Sequence, residues 1–219
     1  MLVQIYEVQT PEEAVALVQR GVDHIGVLVG DGMFARELSI AQTNAIFAVV
    51  PADKKRVALS LSADPEEVAR VARETRPDII QVQAAIDDFS VAMTRLLKRR
   101  FPEIPIMRAI PVIDETSIEV ARSYRDVADF LLLDSWDPGT RQFGALGRTH
   151  DWSLGRRIVE DVGIPAILAG GLGPENVADA IAAVRPAGVD SKTKTDRADG
   201  TAKDLARVQA FVAAAKLTR

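Results

Sequence analysis

Strand-like and helix-like segments alternate eight times along this chain, and several strand-like runs end in a carboxylate or in glycines. Together these features predict an α/β protein: a single (β/α)8 barrel spanning residues 1–219 as one domain. Apolar or β-branched runs lie near residues 2–8, 24–29, 56–62, 78–83, 104–112, 129–135, 164–170 and 187–191. Strict alternation with helices implies parallel strands, and eight units imply closure. At 219 residues and 47% hydrophobic side chains, the chain has both the length and the apolar material for one large core.

The elements carry their own punctuation. After the first run, Thr10-Pro11-Glu12-Glu13 reads as a capping box with proline at the first helical position. Gly21 follows that helix where a left-handed cap is expected. The second unit is entered at His24, on the barrel floor, and its helix opens on Ser39 with Gln42; the third opens on Asp64-Pro65 with Glu67. The sixth run, Phe130-Leu131-Leu132-Leu133-Asp134, is a buried strand carrying a carboxylate to its C-terminal tip. A long loop near 136–150, with Gly139, Gly144 and Gly147, reads as a lid. The seventh run ends in Gly170-Gly171 before Pro174-Glu175-Asn176-Val177, a strand feeding a helix N-terminus where amides and dipole favour a phosphate. The eighth ends at Asp190, and an Ala-rich helix near 202–217 closes the ring.

Composition removes several classes of function. A net charge of −4 gives no electrostatic basis for binding nucleic acid or an anionic membrane surface. Without cysteine there is no disulfide, thiolate catalysis or thiolate metal site, and two distant histidines make no zinc site. No apolar run approaches the roughly 18 residues of a membrane span. A cytoplasmic enzyme without a cofactor or metal is expected, monomeric or homodimeric, acting on a phosphorylated small molecule.

Several landmarks form a more specific pattern: Thr10-Pro11-Glu12-Glu13-Ala14, Arg36 with Ser39, Gln81, Asp134-Ser135, Gly144 to Trp152, Gly170-Gly171-Leu172 with Pro174-Glu175-Asn176-Val177, and Val189-Asp190. Over nearly the whole chain this resembles the phosphoribosylanthranilate isomerases of tryptophan biosynthesis. The resemblance implies a TIM barrel and an Amadori rearrangement of a phosphorylated ribosylamine. A general acid opens the ribose by protonating its ring oxygen, and a base takes the proton from the neighbouring carbon. The family's base cysteine falls on Tyr6, its following glycine on Glu7, its strand-4 histidine on Gln83, and its serine-rich phosphate turn on Ser191-Lys192-Thr193-Lys194.

Candidate roles follow. Asp134, in a barrel mouth, is the expected acid, since burial raises a carboxyl pKa. Tyr6 stands at the base position, but a phenol titrating near 10 is a poor base, so packing or recognition competes with catalysis. Glu7 either swings a carboxylate over the site or lies on an exposed loop. Arg36, Gln83, Arg108 and Asp190 are expected substrate contacts, with Arg108 alternatively a buried partner of Asp134. Gly170, Gly171 and Asn176 form the expected phosphate cradle, and Lys192 and Lys194 either add charge to it or are ordinary loop lysines. The leading reading is a sugar-phosphate isomerase of the Amadori type. A diverged phosphosugar lyase or isomerase, and a barrel that only binds a phosphorylated ligand, are the alternatives.

Overall fold

In the computed structural model, which describes residues 1–137, 139–140 and 142–218, eight parallel strands close into a barrel. Pro138 and Arg141 of the long loop, and the terminal Arg219, lie outside the described residues. The strands are β1 (Leu2–Ile5), β2 (His24–Leu28), β3 (Lys55–Ser60), β4 (Ile79–Val82), β5 (Ile106–Pro111), β6 (Phe130–Asp134), β9 (Ala166–Leu168) and β10 (Gly188–Ser191). Two short strands, β7 (Trp136–Asp137) and β8 (Gln142–Phe143), make an antiparallel hairpin inside the loop predicted at 136–150. Around the ring run β1-β10-β9-β6-β5-β4-β3-β2, so the chain's ends meet through the β1–β10 pairing, Gln4 opposite Asp190.

Helices α1 (Pro11–Gln19), α2 (Ile40–Phe47), α3 (Pro65–Thr75), α4 (Val91–Arg100), α5 (Thr116–Ser123), α6 (Trp152–Val162), α7 (Val177–Val184) and α8 (Leu205–Leu217) cover the outside. Ser39 and Gln42 form the expected reciprocal box. The Thr10 box is half made: Thr10 Oγ1 accepts from Glu13 N at 3.1 Å. The Glu13 carboxylate turns instead to Gln9 N at 2.8 Å and Lys203 N at 2.6 Å, tying the first helix to the last segment of the ring. Asp64 likewise caps through Glu66 N rather than through a box with Glu67. Gly21 takes the left-handed conformation expected of it, φ +84°.

Period-two alternation divides each strand between two apolar layers. Val3, Ile5, Leu131 and Leu133 pack outward with the helices. Tyr6, Val57, Ile79, Met107, Ala109, Leu132, Ile167 and Ala169 fill the lumen. At the floor, His24 Nδ1 lies 3.0 Å from Gln4 Oε1, and burial holds the imidazole neutral, its pKa pushed down to about 4. The lumen is therefore plugged below by this pair and the apolar layer above it, and at the C-terminal rim alternation brings Asp134 and Asp190 inward.

Candidate active site

At that rim a cavity of about 490 Å³ opens, within the size range of small-molecule sites. Its lining includes the apolar and aromatic side chains of Leu28, Phe34, Leu59, Trp136 and Phe143. Trp136 and Phe143 face each other across the β7–β8 hairpin, edge to face at 6.0 Å and 72°. Polar side chains also line it: Glu7, Gln81, Gln83, Asp134, Asp190 and Lys192. A smaller niche of about 30 Å³ adjoins it, walled by Gly170, Gly171, Leu172 and Ser191 to Lys194. Asp134, Ala145, Asp190 and Lys192 belong to both spaces.

Asp134 is fixed by its own strand end. Its Oδ1 accepts from Ser135 N at 2.7 Å and its Oδ2 from Gln83 Nε2 at 3.4 Å. Burial raises its pKa to about 6, against the pull of those donors. Gly144 lies directly over the carboxylate: with φ +77°, a Cβ there would overlap Asp134 Oδ2 and come within 2.8 Å of Gln83 Nε2. The lid loop thus covers the acid, and only glycine permits that approach. Asp190, facing it, is 8% exposed, and its Oδ1 has no hydrogen-bond partner among the described residues. Burial, and then the negative charge of Asp134, push its pKa well above the ordinary carboxylate range.

Tyr6 is placed where the resemblance put the base, but its surroundings deny it that role. Its ring packs on Gly26, where a Cβ would lie 2.6 Å from it, and its hydroxyl donates to Gln81 Oε1. Gln81 Nε2 donates in turn to Gln83 Oε1 at 2.7 Å, so the phenol begins a chain ending at Asp134. Burial, and then the charge of Asp190, push its pKa well above 10. A phenol harder to ionise is a still poorer base, so these contacts favour the packing and hydrogen-bonding alternative for Tyr6 over the catalytic one.

Glu7 lines the cavity but is not free to swing. Its carboxylate is held 2.6 Å from Arg36 Nε and 3.3 Å from Lys192 Nζ, on a left-handed backbone with φ +58°. Arg36, itself at φ +68°, also donates through Nη2 to Glu7 O at 3.1 Å and through Nη1 to Gly200 O at 2.5 Å. In this arrangement Arg36 is not among the residues lining the cavity, whereas its partner Glu7 is, so the expected direct substrate contact is replaced by a contact through Glu7. Lys192 continues the network to Asp196 at 3.3 Å, which pairs with the buried Lys203 at 2.6 Å.

Arg108 is also corrected. With Ile106 and Ile110 it shares the outer face of β5, while Met107 and Ala109 face the lumen. Fully buried, it donates to Val82 O and Ala84 O, each at 2.8 Å, and lies over the Tyr124 ring. It is neither a ligand contact nor a partner of Asp134. Gln83 does line the cavity, between Gln81 and Asp134.

The cradle is narrower than the sequence suggested. Gly171 (φ +62°) lies under the lid, where a Cβ would stand 2.6 Å from the Arg148 carbonyl carbon. Asn176 accepts from Gly173 N at 2.9 Å and donates to Gly171 O at 3.1 Å, closing its own turn. It is not among the residues lining the niche, whose walls include Gly170 and Gly171. Lys192 and Lys194 do line the niche. As it stands the niche has room for roughly two waters, so a phosphate enters only if the lid segment or Thr193 yields.

Sequence reasoning missed the aromatic wall and Gly144's contact with Asp134. The signal for the first was present: Trp136 and Phe143 flank an Asp-Pro-Gly turn sequence, and Asp137 Oδ1 accepts from Gly139 N at 2.9 Å. Nothing local marks Gly144 above Asp134, because that contact is made by the lid folding back.

Comparison with known proteins agrees with the fold. Residues 3–214 match the sequence profile of N-(5'-phosphoribosyl)anthranilate isomerase. The chain is 35% identical over 218 residues to the N-(5'-phosphoribosyl)anthranilate isomerase of Methanocella arvoryzae, covering 99% of each. The crystal structure of phosphoribosyl anthranilate isomerase from Thermotoga maritima superposes with a TM-score of 0.85 at 29% identity, covering 99% of this chain and 98% of that one. A phosphoribosyl anthranilate isomerase in complex with reduced 1-(o-carboxyphenylamino)-1-deoxyribulose 5-phosphate superposes with a TM-score of 0.81 at 27% identity, over 99% and 98%. With eight strands closed, carboxylates at the rim and a profile match over almost its whole length, the chain belongs to the N-(5'-phosphoribosyl)anthranilate isomerase family of aldose–ketose isomerases.

Proposed function

We propose that the barrel mouth catalyses the Amadori rearrangement of N-(5'-phosphoribosyl)anthranilate. The observation that carries this reading is the order of the spaces. An aromatic-walled cavity meets a glycine- and lysine-walled niche, and Asp134 and Asp190 line both. An aryl group against Trp136, Phe143 and Phe34, with a phosphate at Gly170, Gly171, Lys192 and Lys194, leaves the ribose carbons across the two carboxyl groups. Trp136 and Phe143 supply flat apolar surface for the aryl ring. A lid closed over Asp134 excludes water from a cationic intermediate. Asp134 is the carboxyl group on which proton transfer depends, and Gln83 and Ser135 hold its orientation.

The test is conversion of N-(5'-phosphoribosyl)anthranilate, followed by the loss of its fluorescence, with Asp134→Asn as control. Turnover should fall on the order of 10²-fold or more in the variant, the usual range for removing an acid–base group. Binding of the reduced product analogue should persist. Binding without turnover in the wild-type protein would replace this reading with that of a phosphorylated-ligand-binding barrel. Neither binding nor turnover would point to another phosphosugar.

A further inference from the structure

The rearrangement needs a proton donor and a proton acceptor, and the position expected to supply the acceptor holds Tyr6, whose hydroxyl is committed to Gln81. Glu7 is engaged by Arg36 and Lys192. Among the described residues, the two carboxyl groups lining both the aromatic cavity and the niche are Asp134 and Asp190. Their surroundings differ in kind. Asp134 receives N–H donors from Ser135 and Gln83, which favour the carboxylate. Asp190 has the Gln4 amide near its carboxyl group, but its Oδ1 is buried with no donor aimed at it among the described residues, which favours the neutral acid.

We propose that Asp134 and Asp190 work as a one-proton pair in which Asp190 is the acid and Asp134 the base, so that no residue at the Tyr6 position is needed for proton transfer. This reverses the role expected of Asp134 from the sequence, and it rests on the isomerase reading above. Two facing carboxyl groups resist double ionisation, and environments that differ assign the single proton. Other groups facing the pair are Tyr6, which stays neutral, Glu7, Lys192 and Lys203.

The step balances. Asp190 gives its proton to the ribose ring oxygen as the bond from C1 to that oxygen breaks and the amine lone pair forms the C1=N double bond. The Asp134 carboxylate takes the proton from C2. The C–H electron pair becomes the C1=C2 double bond, and the C1=N pair returns to nitrogen. The enolamine becomes the ketone when Asp134 returns its proton to C1 and Asp190 takes the proton of the C2 hydroxyl. Both groups end as they began.

The experiment is kcat/KM against pH with N-(5'-phosphoribosyl)anthranilate, for the wild-type protein, Asp190→Asn, Asp190→Glu and Asp134→Asn. Binding of the reduced product analogue confirms that each variant is folded and retains its site. The wild-type profile should be a bell. Asp190→Asn should lose on the order of 10²-fold with analogue binding kept, and its residual activity should lack the alkaline limb. Asp190→Glu should recover at least about a tenth of wild-type activity, and Asp134→Asn should lack the acid limb. The proposal is overturned if Asp190→Asn turns over within about threefold of wild type, or if the limbs vanish in the opposite variants. A wild-type protein that does not convert the substrate overturns the isomerase reading and this pairing together.

Discussion

Glu7 combines two features that a single pair of variants separates: a carboxylate between two cations and a left-handed backbone at a residue with a Cβ. The carboxylate lies 2.6 Å from Arg36 Nε and 3.3 Å from Lys192 Nζ, with the Glu7 side chain 16% exposed. At an effective dielectric of about 20, each such pair is worth about 4 kcal/mol of Coulomb energy, most of it offset by desolvation and ordering. Transferring even about 1.4 kcal/mol of that attraction to a bound phosphate is a tenfold gain in affinity. Glu7→Ala and Glu7→Gly should therefore both bind inorganic phosphate about tenfold more tightly than wild type, measured by titration calorimetry. Their stabilities should differ. At φ +58° a Cβ costs about 1–2 kcal/mol, while glycine gives back about 0.4–1 kcal/mol through the freer unfolded chain. The net, about 1 kcal/mol, places Glu7→Gly about 2–4 °C above Glu7→Ala in thermal unfolding of a chain this size. If Glu7→Ala melts as high as Glu7→Gly, the left-handed backbone stores no strain. If phosphate affinity is unchanged in both, the carboxylate does not compete with anions for Arg36 and Lys192.

Two further outcomes follow from the corrected placements. Tyr6→Phe removes the donor to Gln81 Oε1 and should lower stability by about 1–3 kcal/mol while turnover stays within about fivefold of wild type; a loss of two orders of magnitude would return Tyr6 to the chemistry. Arg108→Met leaves the buried carbonyls of Val82 and Ala84 without their donors and should lower stability by about 3 kcal/mol, read by denaturant unfolding. Its phosphate affinity should match wild type, and an affinity loss without destabilisation would place Arg108 in the site after all.

Much of the barrel was legible because its signals are local. Apolar runs, proline at helix starts and glycine at turns act within a few residues, so the alternation and its eightfold count could be read directly. Alternation within β1 also fixes its parity, with Tyr6 in the lumen and Val3 and Ile5 outside. For β5 the same rule was not enough: both faces of a barrel strand are apolar, so hydrophobicity did not show whether Arg108 faced in or out. The loop after β6 was visible as a lid, but its hairpin depends on Trp136 meeting Phe143.

What the sequence determined by itself is the fold class, and the delivery of Asp134, Asp190 and a glycine pair to strand tips, because the pleat and the chain's punctuation fix them. What only the tertiary structure decided is how those groups are engaged. Arg36 and Lys192 share the Glu7 carboxylate through contacts between segments far apart in the chain, and Gly144 caps Asp134 because the loop folds back. Charge pairing and burial depend on distance in space, and closure of the ring sets those distances. The same residues therefore read as ligands in a linear sequence and as one another's partners in the fold.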